Sequence, residues 1–182
     1  MTDATPTHPW SPVPFRPLAN RWLQGLATVA IDLSAAPPLV EATDGGPQAL
    51  AGALAAPESE PFLRHWLPVA VQQVNQEFFR FEITTLGEED EPAVHSLADL
   101  AEVTTNLPWG LAENRYNRKL VLLLAMGDVG GARLELPYSG KSADLVSGTA
   151  QVFPAYAESK VTGAEGLGGS LIVMHALGPS FR

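Results

Sequence analysis

The side chains that could bind a metal or move a proton are few and widely spaced in this chain. There is no cysteine, and the histidines are His8, His65, His95 and His175. A catalytic metal needs about three nitrogen or oxygen ligands at one point. Asp99 follows His95 by four residues, so both would share a face if the segment were helical. No three ligands are brought together by spacing alone, and the sequence therefore predicts no metal site and no catalytic group.

The remaining polar candidates have ordinary structural interpretations. His65 falls on a predicted helix, where we expect it at the surface or at an interface. His175 falls on the last predicted strand, where we expect a packed core or rim histidine. Residues 88–91 are all acidic and precede Pro92. We interpret this run as a solvated loop, because the ligand-and-glycine pattern of a calcium loop does not follow it.

Two glycine-containing segments have part of the pattern of a phosphate-binding loop. The segment 166–169 is glycine-rich, but no predicted helix follows it. Gly140-Lys141-Ser142 matches the end of a P-loop, yet the glycine expected five residues earlier is Glu135. No Gly-x-Ser-x-Gly nucleophile motif occurs. The sequence therefore disfavours nucleotide binding and acyl transfer.

Composition limits the class of protein further. The chain has 182 residues, 46% of them apolar and 17% charged, which is typical of a globular domain with a sizeable core. Its net charge of −9 disfavours nucleic-acid binding, which depends on Lys and Arg contacts to phosphates. No apolar run approaches the length of a membrane helix, and no signal peptide is recognised. We expect a cytoplasmic protein with no membrane span, and the richness in Ala, Pro, Gly and Leu is typical of a GC-rich bacterial genome.

The elements that would position these residues begin with a proline-rich segment. Residues 1–20 carry Trp10 and Phe15 between prolines, which predicts an extended arm that contacts the domain or a partner. Residues 21–33 alternate in polarity and predict one or two strands. Residues 58–77 have apolar side chains at helical spacing and predict the main helix.

The second half of the chain has the pattern of short strands and turns. Residues 78–86 are rich in aromatic and β-branched side chains and predict a strand. Residues 119–126 are continuously apolar, as in a strand buried on both faces. Further strands are predicted at 132–136, 149–153, 158–162 and 169–177. We therefore expect an α+β fold that is mostly β, with a jelly-roll barrel and a supporting N-terminal helix.

Short motifs recur in a fixed order over residues 61–182. They are Asn75 with Phe78, Phe79 and Phe81; Trp109; Arg118-Lys119-Leu120; Gly130-Gly131 with Leu134; Gly148-Thr149; Phe153-Pro154; Lys160-Val161-Thr162; and Gly178-Pro179-Ser180-Phe181-Arg182. In this order they resemble the Fe(II)/2-oxoglutarate-dependent oxygenases of the prolyl-4-hydroxylase type. The resemblance implies the double-stranded β-helix (cupin-like) form of the jelly roll.

The same resemblance implies that the iron site is missing. The family takes its first two iron ligands from a Trp-His-x-Asp motif, whereas here Trp109 precedes Gly110 and, two positions later, Ala112. The second histidine position corresponds to Ser159, and the arginine that binds 2-oxoglutarate corresponds to Gly169. None of these four residues can do the family's chemistry, so we interpret them as vestigial site positions.

Few nearby residues could replace the missing ligands. Glu113 and Glu158 are the nearest carboxylates in sequence, but on a strand Glu158 would point away from the face of its neighbour Ser159. Some relatives bind a carboxylate with a lysine at a strand start, which makes Lys119 a candidate; an ordinary strand-edge charge is the alternative. The candidate pocket or interface residues are Trp109, Lys119, His175, Trp10 and Phe15.

The resemblance and its missing ligands predict a non-catalytic oxygenase-fold protein without a cofactor. We expect residues 21–182 to form one domain that acts as an interaction or structural subunit of a larger assembly, with a protein partner or as a homo-oligomer. A small-molecule binding module that uses the metal-free barrel mouth is the first alternative. An active oxygenase with relocated ligands is the second, and an acidic, mostly β domain unrelated to the family is the third.

Overall fold

The computed structural model of this chain describes residues 16–17, 25–101 and 117–179. Within these ranges, α-helices occur at Pro37–Glu41 (α1), Gly46–Ala55 (α2), Leu67–Val74 (α3) and Leu97–Ala101 (α4). The strands are Arg16–Pro17 (β1), Ala27–Ala30 (β2), Thr85–Leu86 (β3), Ala93–Ser96 (β4), Arg118–Met126 (β5), Arg133–Leu136 (β6), Lys141–Asp144 (β7), Thr149–Pro154 (β8), Lys160–Thr162 (β9) and Ser170–Leu177 (β10).

The larger sheet is antiparallel and is built around β5. Its strand order is β1-β2-β8-β5-β10-β3, and β4 also pairs with β10. Every residue of β5 is buried, which confirms the prediction of a strand covered on both faces. Leu120, Leu122 and Leu124 pack in one apolar cluster, whereas Val121 and Leu123 pack in another. The alternation of side chains along a strand therefore separates the two cores of the domain.

A smaller sheet covers the second of these cores. Its strand order is β7-β6-β9, and its pairs are antiparallel. Leu134, Leu136 and Val161 from this sheet share an apolar cluster with Phe153 and Val173 from the larger one. The two sheets thus pack face to face through buried aliphatic side chains.

The helices cover the opposite face of the larger sheet. The predicted helix at 58–77 is present as a π-helical turn at Phe62–Trp66, the α-helix α3 and a second π-helical turn at Asn75–Phe79. Trp66 is fully buried in the core of this layer. The prediction of a strand over 78–86 is wrong except at β3, because its first two phenylalanines continue the helix.

The helix ends where Asn75 turns the chain back towards the sheet. The Asn75 amide donates a hydrogen bond to the Phe81 carbonyl (2.8 Å) and accepts one from the Phe81 N–H (2.9 Å). Arg80 takes a left-handed conformation between them. The Asn75 side chain therefore satisfies both backbone groups of Phe81, two residues beyond the helix end.

The other strand predictions are confirmed at β2, β6, β8, β9 and β10, whereas β4 and β7 were not predicted. The first residues of the proposed arm lie outside the described ranges, but β1 pairs Arg16 with Thr28 and Pro17 with Ala27. A single domain over 21–182 stays a prediction. In the described part of the chain, no helix is long and apolar enough to cross a membrane.

Candidate functional site

The edge of β10 is interrupted at one point, and a side chain fills the gap. Strand β4 pairs with β10 up to Val173, and β3 pairs from Ala176 onward. Between these pairs, the N–H of His175 donates to a carboxylate oxygen (Oε2) of Glu91 at 2.8 Å. The His175 carbonyl accepts from the Gly87 N–H at 2.8 Å. A carboxylate thus takes the place of a backbone partner where the intervening loop leaves the sheet.

The same carboxylate holds the imidazole of His175 and the turn of the loop. Its Oε2 also accepts from the Glu88 N–H (3.0 Å), and Oε1 contacts Nδ1 of His175. The side chains of His175 and Glu91 are only 2% and 4% exposed. Because an ionised carboxylate can only accept, this contact places the ring proton on Nδ1 when the imidazole is neutral.

Arg118 joins the cluster through Glu88. Its Nε donates to Oε1 of Glu88 at 2.7 Å, and its Nη2 donates to Oε2 at 2.6 Å. The two side chains are 7% and 11% exposed. Burial lowers the pKa of Arg118, and the charges of Glu91 and Asp90 oppose that shift. This bidentate pair is the strong form of an ion pair, and it fixes the position of the Glu88 carboxylate.

One ligand atom from each of Glu88, Glu91 and His175 lies within 4.8 Å of the other two. The sequence predicts that no set of three converges by spacing, and the structure brings these three together only through contacts between distant parts of the chain. The prediction of a solvated acidic loop is wrong for Glu88 and Glu91, whereas Glu89 and Asp90 are exposed. His175 is confirmed as a buried histidine, but its acidic partner was not foreseen. Glu91 and His175 are separated by 84 positions along the chain, so rules based on short sequence spacing do not detect the pair. The signal that was available is a histidine in an otherwise apolar strand, because a buried polar group needs a partner.

Several predicted site positions cannot be placed. Trp109, Gly110 and Ala112 lie outside the described residues, and so do Trp10 and Phe15. The first two vestigial ligand positions and the aromatic contacts of the arm therefore stay predictions.

The other two positions that the resemblance predicts to be vestigial precede strands in different sheets. Ser159 is half-buried directly before β9, and Gly169 lies directly before β10. A Cβ atom added at Gly169 would lie 2.4 Å from the Asp128 carbonyl oxygen and 2.6 Å from Cγ1 of Val129. The backbone of the preceding turn would have to move before any side chain could fit, so this position cannot present an arginine to a ligand.

Lys119 and the remaining histidines have distinct environments. Lys119 is 6% exposed near the start of β5, between β8 and β10, so the prediction of a strand-edge charge is wrong. His65 is exposed, as predicted. His95 lies on β4 opposite Leu171, and burial lowers its pKa while the charge of Asp99 opposes the shift. His95 lies on β4 and Asp99 on α4, so the two residues do not share one helix face as considered from the sequence.

The comparisons with known proteins give a likeness in fold. No protein-family profile matches it, and no curated protein sequence does. Among solved structures, a Pseudomonas putida prolyl-4-hydroxylase matches with a TM-score of 0.51 over 85% of this chain and 88% of that chain. The identity is 15%, so the likeness shows the fold and not the activity. The predicted resemblance is thereby confirmed at the level of a β-rich, prolyl-4-hydroxylase-like fold.

Proposed function

We propose that this chain is a non-catalytic protein of the prolyl-4-hydroxylase-like fold, with a double-stranded β-helix core, that acts as an interaction or structural subunit. The observation that carries the proposal is the packing of Gly169. The position that corresponds to the arginine that would bind 2-oxoglutarate is a glycine, and a Cβ atom added there would lie 2.4 Å from the Asp128 carbonyl oxygen. The second histidine position holds Ser159, a hydroxyl that is a poor ligand for Fe(II).

The space between the two sheets favours an interaction role over binding a ligand inside the barrel. Leu123, Leu134, Phe153 and Leu171 are each fully buried there and contact the same apolar cluster. A cofactor site would need a cavity with a few convergent polar groups. In the described ranges, this region is instead filled by aliphatic and aromatic side chains, as in an ordinary core.

The proposal is tested by measuring 2-oxoglutarate binding and turnover on purified protein. Calorimetry with Mn(II) present should give no heat of 2-oxoglutarate binding, and Fe(II) with ascorbate should give no succinate above a protein-free blank. An active prolyl-4-hydroxylase assayed in parallel is the positive control. Native mass spectrometry of the same sample should show an oligomer or a retained protein partner. Micromolar 2-oxoglutarate binding, or a monomer that keeps no partner, would contradict the proposal.

A further inference from the structure

We propose that Glu88, Glu91 and His175 form a binding site for one divalent transition-metal ion of the zinc type. The three side chains offer one imidazole nitrogen and two carboxylate oxygens within 4.8 Å of one another. Zinc is bound at about 2.0–2.2 Å by histidine and carboxylate ligands, so small side-chain rotations would bring all three into range. This ligand set comes from residues other than the vestigial positions, and the inference does not depend on the loss of 2-oxoglutarate chemistry.

Each carboxylate is already held in a position suited to a ligand. Both backbone bonds to Glu91 use Oε2, which leaves Oε1 directed at Nδ1 of His175. Arg118 holds both oxygens of Glu88, but a carboxylate has about four lone-pair positions and can bind a metal as well. Hydrogen bonds of this kind to a ligating carboxylate are usual around metal ions.

The charge of the cluster also favours a cation. Glu88 and Glu91 carry two negative charges when ionised, and Arg118 balances one of them. Two carboxylates that converge beside an imidazole in a mostly buried region attract positive charge, and a divalent ion supplies it in compact form. Such an ion, bound between Oε1 of Glu91 and Nδ1 of His175, would displace a proton from Nδ1.

The imidazole decides which class of ion the site prefers. Magnesium and calcium take oxygen ligands, whereas imidazole with carboxylates suits zinc and its transition-metal neighbours. The family's iron site uses two histidines and one carboxylate, so this set of one histidine and two carboxylates is different. The ion would tie the acidic loop at 88–91 to the interrupted edge of β10.

The experiment is calorimetry with Zn²⁺ on the full chain after treatment with a chelator. We expect one Zn²⁺ per chain, a higher melting temperature on binding, and no comparable binding of Mg²⁺ or Ca²⁺. Glu91→Gln and His175→Asn should each weaken binding by at least about tenfold. Glu89→Gln removes the same charge from an exposed neighbour, and His65→Asn removes an exposed histidine; both should bind Zn²⁺ like the unmodified chain.

Several results would overturn the inference. They are the absence of saturable Zn²⁺ binding by the unmodified chain, binding that survives both Glu91→Gln and His175→Asn, and tighter binding of Ca²⁺. If His175→Asn does not fold, Glu88→Gln replaces it, because Glu88 is the least buried of the three. Zn²⁺ binding that requires Glu91 together with 2-oxoglutarate turnover would support this site while contradicting the proposed function.

Discussion

The edge of β10 is satisfied by backbone pairing at its start and by a carboxylate near its end, although the strand is buried almost throughout. At its start, Gly169 packs against the backbone of Asp128, and β4 satisfies the strand edge through regular pairing. Near its end, the edge pairing stops, and Glu91 supplies the partner for His175. The imidazole of His175 is therefore accommodated where the ladder is interrupted and a carboxylate takes the place of the neighbouring strand.

The two ends of β10 differ in the space that the backbone leaves for functional side chains. In the resemblance to oxygenases, the start of β10 is where a co-substrate anchor is expected, and there the backbone fills the space. The buried charged groups lie at the other end, where Arg118 and Glu88 pair beside Glu91 and His175. Substitutions at the two ends should therefore act through different physical causes.

The largest effect is expected from removing the carboxylate at the interrupted end. Glu91→Ala leaves the N–H groups of His175 and Glu88 without their acceptor and removes the partner of the imidazole. Removing one partner of a buried polar pair costs about 3 kcal/mol in the free energy of unfolding. Urea unfolding monitored by circular dichroism measures the loss. Glu89→Ala, at an exposed neighbour, should change stability by less than about 0.5 kcal/mol. Equal effects of the two substitutions would show that the cluster contributes nothing.

A smaller effect is expected from adding one methyl group at the other end. Gly169→Ala forces the backbone of Asp128 to move, because the new Cβ would lie 2.4 Å from its carbonyl oxygen. Overpacking of this kind costs about 1–3 kcal/mol. Gly168→Ala is the matched control, since a Cβ there meets no atom within 4 Å. If both variants unfold at the same urea concentration, the start of β10 has room for a side chain, and the argument for a lost anchor fails.

Local pattern was sufficient for the elements whose burial is uniform. The continuously apolar run at 119–126 predicts a strand covered on both faces, and the structure has such a strand at Arg118–Met126. The helix around α3 was predicted from the spacing of its apolar residues. The aromatic content of 78–86 predicts a strand that is absent at its start, because Phe78 and Phe79 lie in the π-helical turn at Asn75–Phe79.

The site could not be predicted in the same way, because its parts are distant in sequence. Glu91 and His175 meet through the gap between β3 and β4, and neither short strand has a strong periodic signal. The acidic composition of 88–91 indicated solvent exposure, whereas pairing with Arg118 and His175 buries two of the four carboxylates. Composition cannot show which of the four carboxylates are buried, because their burial depends on contacts with residues that are distant in sequence.

The smallest effect is expected from the histidine beside the start of β10. Burial lowers the pKa of His95 below the value of about 6.5 that it has in the unfolded chain, so the unfolded state binds the proton first. The contribution of neutral His95 to stability is therefore complete above that pH and is lost as the pH falls through about 6.5 towards the folded pKa. His95→Gln should lose less stability than the unmodified chain between about pH 7.5 and pH 5.5. Urea unfolding at the two pH values measures the difference.

His65→Gln is the control for removing one histidine from the chain. His65 is exposed, and a substitution at an exposed position should change the free energy of unfolding by less than about 0.5 kcal/mol. If His95→Gln loses as much stability between the two pH values as the unmodified chain, the lowered pKa of His95 does not contribute to the pH dependence. A reduced loss would mean that the regularly paired start of β10 accepts its neighbouring histidine mainly in the neutral form. His175, at the interrupted end, instead depends on a carboxylate within hydrogen-bonding contact.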